Sequence, residues 1–163
     1  MNKMDQKEKI KKIVAQNSGD LIKICRNLSR FSGENGEKTD VALKYVTGFL
    51  DGLKVRYSLL DGEVPCIHAI VGKNTGIKGI YKGSIVMEGE NDICSGAGVL
   101  LFVLKLAVAG LVAFDGSLDF YFFFGKIPEK LPEIPEKYAF CMEASGADEG
   151  HVHEKAEALL NGL

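Results

Sequence analysis

Apolar residues in the first third of the chain recur at the interval expected for helices. The pattern covers residues 6–16, 18–30 and 39–52, and a period of 3.6 places the apolar side chains on one face of each helix. Ser18 or Asp20 is expected to cap the second helix, because a side-chain oxygen there can accept the first free backbone N–H groups. The sequence therefore opens with three predicted amphipathic helices.

After these helices the pattern changes to the alternation and β-branched content typical of strands. The predicted strands cover residues 54–59, 64–71, 77–81, 84–87, 118–124 and 138–142. Further helices are predicted over residues 96–109 and 153–160, and Gly-rich or Pro-rich loops over residues 31–37 and 128–135. This order of elements predicts the α/β class, as a three-layer α/β/α sandwich with a mixed, largely parallel sheet.

Length and charge limit the classes of function. The chain of 163 residues is long enough for one domain with a full core. Its 20 Lys and Arg residues against 22 Asp and Glu residues give a net charge of −2, so no basic field exists to hold a nucleic-acid backbone. The lysine-rich residues 3–12 have the pattern of a solvated helix face. We expect no nucleic-acid partner.

Two features bear on the compartment. Residues 99–114 are apolar apart from Lys105 and one glycine, Gly110, but they are fewer than the roughly 20 residues that cross a bilayer, so a buried helix is predicted and no membrane span. No C-x-x-C pair and no secretory leader is visible. We therefore expect a cytoplasmic protein with reduced thiols at its four cysteines, which are Cys25, Cys66, Cys94 and Cys141.

Three segments carry side chains that could do chemistry. Asp92 joins a strand to the apolar helix, where α/β sheets bind ligands, and it could bind a metal; alternatively Asp92 or a neighbour such as Ser95 caps that helix. Glu143 ends the last strand and is either a ligand or a surface carboxylate. His151 and His153 could ligate zinc, although their i, i+2 spacing directs them to different sides, so one ligand at most is expected.

Three common motifs of catalysis and phosphate or dinucleotide binding are absent from the sequence. There is no Gly-x-Ser-x-Gly elbow, no phosphate loop and no Gly-x-Gly-x-x-Gly after a strand. The third histidine, His68, lies in an apolar, β-rich segment and is expected to be a strand residue. No catalytic residue can be assigned from these patterns.

Residues 81–110 read Y-K-G-S, then E-N-D-I-C-S-G-A-G, then a long apolar helix, and residues 141–146 read C-M-E-A-S-G. These segments resemble I-Y-G-R-G-A-x-D-M-K-G-G and G-E-P-S-G in the zinc-dependent family of aminoacylase, acetylornithine deacetylase, succinyl-diaminopimelate desuccinylase and carboxypeptidase. The resemblance implies hydrolysis of N-acyl amino acids or small peptides. It also implies zinc as the cofactor, with Asp92 as the bridging ligand, Glu143 as a later ligand, and His153, with Glu157 four residues on, as the final one.

The chain also departs from the family pattern. The G-H-x-D motif expected between Val71 and Tyr81 is missing, Gly125-Lys-Ile-Pro replaces the paired glutamates after the apolar strand, and the length leaves no room for a lid or dimerisation domain beside a single catalytic-like domain over residues 1–163. Amide hydrolysis needs a metal-activated water and a base, and a bare Asp/Glu pair favours magnesium or calcium. We therefore expect impaired activity. The alternatives are a non-catalytic binding or scaffold module, and a truncated or engineered core.

Overall fold

The computed structural model describes residues 3–30, 39–87, 89–129 and 137–163. Its helices are α1 (Lys3–Gln16), α2 (Ser18–Ser29), α3 (Thr39–Gly52), α4 (Gly96–Val108) and α5 (Val152–Leu160). Its strands are β1 (Arg56–Leu60), β2 (Cys66–Gly72), β3 (Ile77–Ser84), β4 (Asp92–Cys94), β5 (Ser117–Phe123), β6 (Phe140–Ala144) and β7 (Ala147–Asp148). All the predicted helices are confirmed, whereas the loop predicted over residues 31–37 and most of the Pro-rich loop lie outside the described residues.

The start of α2 differs from its prediction. Asn17 occupies the cap position without a side-chain hydrogen bond to the helix, so Ser18 or Asp20 as the cap is wrong. Both side chains are engaged in tertiary contacts: Ser18 Oγ lies 2.7 Å from Nε2 of His153, and Asp20 accepts from Nζ of Lys105 at 3.0 Å. Both side chains therefore make long-range contacts and neither caps the helix.

The main sheet has the strand order β1-β2-β5-β3-β6. The β1–β2 and β2–β5 pairs are antiparallel, and β3 pairs in parallel with both β5 and β6. The α/β class and the mixed sheet are thereby confirmed. The strand predicted over residues 77–81 is confirmed and extends to Ser84 as β3, whereas the strand predicted over residues 84–87 is wrong, because residues 85–87 belong to no strand. The two-stranded ribbon of β4 and β7 was not predicted.

Helix α4 lies at the centre of the core. It is buried from Gly96 to Ala107 apart from Lys105, and buried residues of all five helices join it in one cluster against one face of the sheet. A smaller cluster of Cys66, Ile80, Tyr121 and Phe123 lies apart from it. Within the described ranges no helix combines the length and the apolar character needed to span a bilayer. The prediction of a buried helix is confirmed.

The cysteines correct one expectation. Cys25 of α2 and Cys94 of β4 form a disulfide with a Cα–Cα distance of 4.5 Å, so the prediction of reduced thiols is wrong for this pair. The packing of α2 against β4 brings together two residues separated by 69 positions, which sequence spacing does not reveal. Cys141 is free and exposed. Cys66 is free and buried, and its burial raises the pKa of the thiol to about 12.

Candidate functional site

The parallel strands place one candidate site at their carboxyl ends. Strands β3, β5 and β6 run in the same direction, and the β4–β7 ribbon follows β3 and β6 along the chain. Asp92 of β4 lies directly opposite Asp148 of β7, and His151 begins the next helix as its cap residue. We call Asp92, Asp148 and His151 the carboxyl-end site, since α/β sheets bind ligands at this edge.

Glycines allow the backbone to pack closely around this site. A Cβ on Gly83 would lie 2.8 Å from the carbonyl carbon of Gly96, and a Cβ on Gly146 would lie 2.6 Å from Oδ2 of Asp92. A Cβ on Gly96 would overlap the carbonyl oxygen of Ala144. Because real side chains do not approach so closely, only glycine permits α4 to begin against β3 and β6.

Asp92 and Ser95 have separate roles. The Asp92 carboxylate accepts a hydrogen bond from the Gly89 N–H at 3.0 Å, whereas Ser95 Oγ accepts from the Gly98 N–H at 3.2 Å and caps α4. Of the two capping alternatives, Ser95 is therefore the helix cap. Asp92 is half-buried and is the first residue of β4.

Asp148 and His151 form an ion pair that sequence reasoning missed. Oδ1 of Asp148 lies 2.6 Å from Nδ1 of His151, and both side chains are exposed. The hydrogen bond to Asp148, followed by its negative charge, raises the pKa of His151. The same hydrogen bond lowers the pKa of Asp148. The sequence signal that could have revealed this pair is a histidine three residues after an aspartate, in the segment that follows the strand predicted over residues 138–142.

The predicted ligands lie on three separate elements. Glu143 is an exposed residue of β6 opposite Lys82, and His153 on α5 contacts Ser18 through Nε2. Over the described ranges, with their gaps at 31–38, 88 and 130–136, no group of three or more His, Cys, Asp or Glu side chains can hold a metal ion. The donor set does not fit a two-zinc centre, and metal binding by Asp92, Glu143 and His153 stays a prediction.

A second polar pair spans the middle of the sheet. His68 lies in β2, as predicted, and its Nε2 is 2.8 Å from Oδ2 of the buried Asp119. Ser117 Oγ donates to the other carboxylate oxygen at 3.3 Å, and the His68 ring stacks on Tyr121 with centroids 4.4 Å apart. Burial raises the pKa of Tyr121 to about 12, so the phenol stays protonated at neutral pH. These contacts satisfy a carboxylate that would be costly to bury alone.

Comparison with known proteins identifies the fold. No protein-family model and no curated protein sequence matches the chain. Its structure is similar to human carnosine dipeptidase 1, with a TM-score of 0.55 and 10% identity over 72% of this chain and 34% of that one. It is also similar to the di-peptidase Dug1p from Saccharomyces cerevisiae, with a TM-score of 0.54 and 9% identity over 72% of this chain and 34% of that one.

The chain has a peptidase-like α/β fold. It spans about a third of the length of the two dipeptidases. At such identities the likeness concerns the fold alone, since one fold hosts many functions. The function depends on the residues of the site.

Proposed function

We propose that the chain is a divergent relative of the aminoacylase and carboxypeptidase family in which the hydrolysis of N-acyl amino acids or small peptides is impaired. The fold shared with two proteins named as dipeptidases supports a peptidase ancestry. The position of Asp92, in a ribbon at the carboxyl ends of the parallel strands, supports the alignment with the bridging ligand of that family.

The main support for impaired hydrolysis is that the described residues lack the expected general base and a cluster of metal ligands. After β5 and Phe124 the chain reads Gly125-Lys126-Ile127, where the resemblance expects paired glutamates. Lys126 is exposed, and a lysine ammonium has no lone pair with which to take a proton or bind a metal. No described group of three ligands replaces those glutamates. Without them the part of the chain that the structure describes offers no base and ligand cluster to activate water in the manner of the family.

The carboxyl-end site retains a feature suited to binding. Pairing with Asp148 favours the protonated form of His151, and the His151 side chain is exposed. Nδ1 of His151 faces Asp148, and its other ring nitrogen, Nε2, could donate a hydrogen bond to the carboxylate that N-acyl amino acids and peptides share. We therefore expect weak binding of such ligands without turnover.

The test combines metal binding with product release. Zinc, manganese and magnesium are titrated calorimetrically into the untagged chain, into Asp92→Ala, and into Asp61→Ala, which removes an exposed turn carboxylate as a matched control. Each protein is then incubated with N-acetyl amino acids and dipeptides, and free amine is measured by mass spectrometry. We expect no stoichiometric zinc binding and no product. Zinc-dependent product formation that Asp92→Ala abolishes and Asp61→Ala retains would overturn the proposal.

A non-catalytic peptide-binding module is the second candidate. A cavity of about 230 Å³ lies between the edge strand β6 and α5, with Met142, Ala144 and Leu159 as apolar walls and Lys155 at its lining. An extended peptide could pair with this edge and place one apolar side chain in the cavity. Amide NMR signals of Met142 and Leu159 that shift with an N-acetyl dipeptide amide, equally in Asp92→Ala, would favour this function. Shifts confined to the carboxyl-end site would exclude it.

A further inference from the structure

Two adjoining cavities lie at the opposite end of the sheet from the carboxyl-end site. Their volumes are about 360 Å³ and 490 Å³, and they meet at Gly72 and Phe114. Gly72 is the last residue of β2 and pairs with Ser117, the first residue of β5. Because β5 runs parallel to β3, this pair marks the amino ends of the parallel strands. The cavities are therefore separate from the residues of the proposed hydrolase-like site.

The charges that line the cavities are mostly positive. Among the described residues that line the first cavity are Lys54 and Arg56 and no acidic residue. The second adds Lys73 and Thr75, and Asp115 is the one carboxylate among its described lining residues. These three cations take part in none of the salt bridges found among the described residues. The cavities therefore offer an excess of positive charge to a ligand.

One neighbouring acidic side chain has another partner. Asp51, three residues before Lys54, hydrogen-bonds Tyr57, and this bond is the main cause of the raised pKa of that tyrosine. The Asp51 carbonyl accepts from the Lys54 N–H at 3.0 Å. Asp51 thus fixes the backbone of Lys54 while its carboxylate interacts with Tyr57, which is absent from the lining of either cavity.

The backbone around the cavities is held in defined conformations. Lys54 has a φ of 59°, the one positive value at a non-glycine position in the described part of the chain; this conformation costs about 1 kcal/mol or more. The Lys73 N–H donates to the Gly116 carbonyl at 2.9 Å, and the Ser117 N–H donates to the Gly76 carbonyl at 2.9 Å. The loops that carry Lys54 and Lys73 are thus fixed before any ligand arrives.

We propose that these cavities bind a small organic phosphate. A phosphate monoester carries about −1.5 to −2 charges at neutral pH, which matches several cations better than the single charge of a carboxylate does. The Arg56 guanidinium can donate two parallel hydrogen bonds to phosphate oxygens, and the Thr75 hydroxyl can donate a further one. Phe114 and Val71 provide apolar surface for the organic part of the ligand.

Phenyl phosphate is the probe, because it joins a phosphate to a small apolar ring. It is titrated into the ¹⁵N-labelled full chain, with inorganic phosphate and benzoate as comparison ligands. We expect amide shifts at Gly72, Lys73 and Gly116, and weaker binding of both comparison ligands. Arg56→Gln should weaken phenyl phosphate binding about tenfold, the value of one charge-assisted hydrogen bond. Arg26→Gln, the same change at an exposed position of α2, should leave it unchanged.

A second variant guards against a folding defect in β1. Lys73→Gln lies in a loop and should weaken binding several-fold, so it replaces Arg56→Gln if the latter fails to give a dispersed spectrum. The proposal is overturned if no amide shifts at about 10 mM phenyl phosphate, or if the shifts cluster at His151. It is also overturned if benzoate binds equally well, or if the folded variants bind as tightly as the parent chain.

Discussion

Loss of the Cys25–Cys94 disulfide is predicted to remove a large part of the stability of the fold. The bond joins residues separated by 69 positions, and closing a loop of this length in the unfolded chain is worth about 4 kcal/mol on the chain-entropy relation. A typical domain is stable by about 5–15 kcal/mol. The double variant Cys25→Ala/Cys94→Ala should therefore unfold at a urea concentration lower by about 2 M.

Urea denaturation in buffer without reductant measures this effect, and Cys141→Ala is the matched control, because Cys141 is exposed and unpaired. The control should unfold at the same urea concentration as the parent chain. Thiol counting gives an independent reading: the folded chain should expose one reactive thiol, Cys141, and the unfolded chain two, because Cys66 is then also accessible. Four reactive thiols in the unfolded, unreduced chain, or a loss below about 1 kcal/mol in the double variant, would refute the reasoning.

Other substitutions test the close packing, the ion pair and the strained backbone separately. Gly96→Ala should destabilise the fold by about 2–3 kcal/mol in urea denaturation, because its Cβ overlaps the last carbonyl of β6, whereas Gly19→Ala in α2, with open space around it, should stabilise by about 0.5–1 kcal/mol. An NMR titration should place the pKa of His151 above 6.5, and Asp148→Asn should bring it down; an unchanged value would contradict the pairing. The pKa of His151 is raised, so its contribution to stability is complete below pH 6.5 and is lost as the pH rises through that raised pKa. The pKa of Asp148 is lowered, so its contribution is complete above pH 3.8 and is lost as the pH falls through that lowered pKa. Lys54→Gly should stabilise the fold by about 0.5–1 kcal/mol by relieving its left-handed backbone, and a loss of stability would show that the conformation is not strained.

The sequence predicted the elements that have a clear period or composition. The apolar run of α4 and the wholly buried strand β5 were found because burial on all sides selects apolar residues throughout. Strands β4 and β7 were missed because segments of three and two residues are too short to show alternation. Strand β3 was predicted to end at Tyr81 and instead runs to Ser84, since Gly83 resembles a turn signal.

The pairs within the candidate sites depended on tertiary structure. His68 and Asp119 are 51 residues apart, and Ser18 and His153 are 135 residues apart, so no local pattern joins them. The ribbon that sets Asp92 opposite Asp148 likewise depends on tertiary structure, because β7 reaches β4 only when β6 pairs with β3. Sequence reasoning could name acidic and histidine residues as candidates, but the fold decides which of them meet.

The most direct test of impaired hydrolysis is the release of amine from N-acetyl amino acids and dipeptides by the untagged chain in the presence of zinc, followed by mass spectrometry. A reaction with zinc alone sets the background. We predict no release above that background, because Lys126 and its neighbours replace the expected glutamates and no described cluster of ligands takes their place. Repeated turnover that requires zinc and is lost in Asp92→Ala would contradict this conclusion.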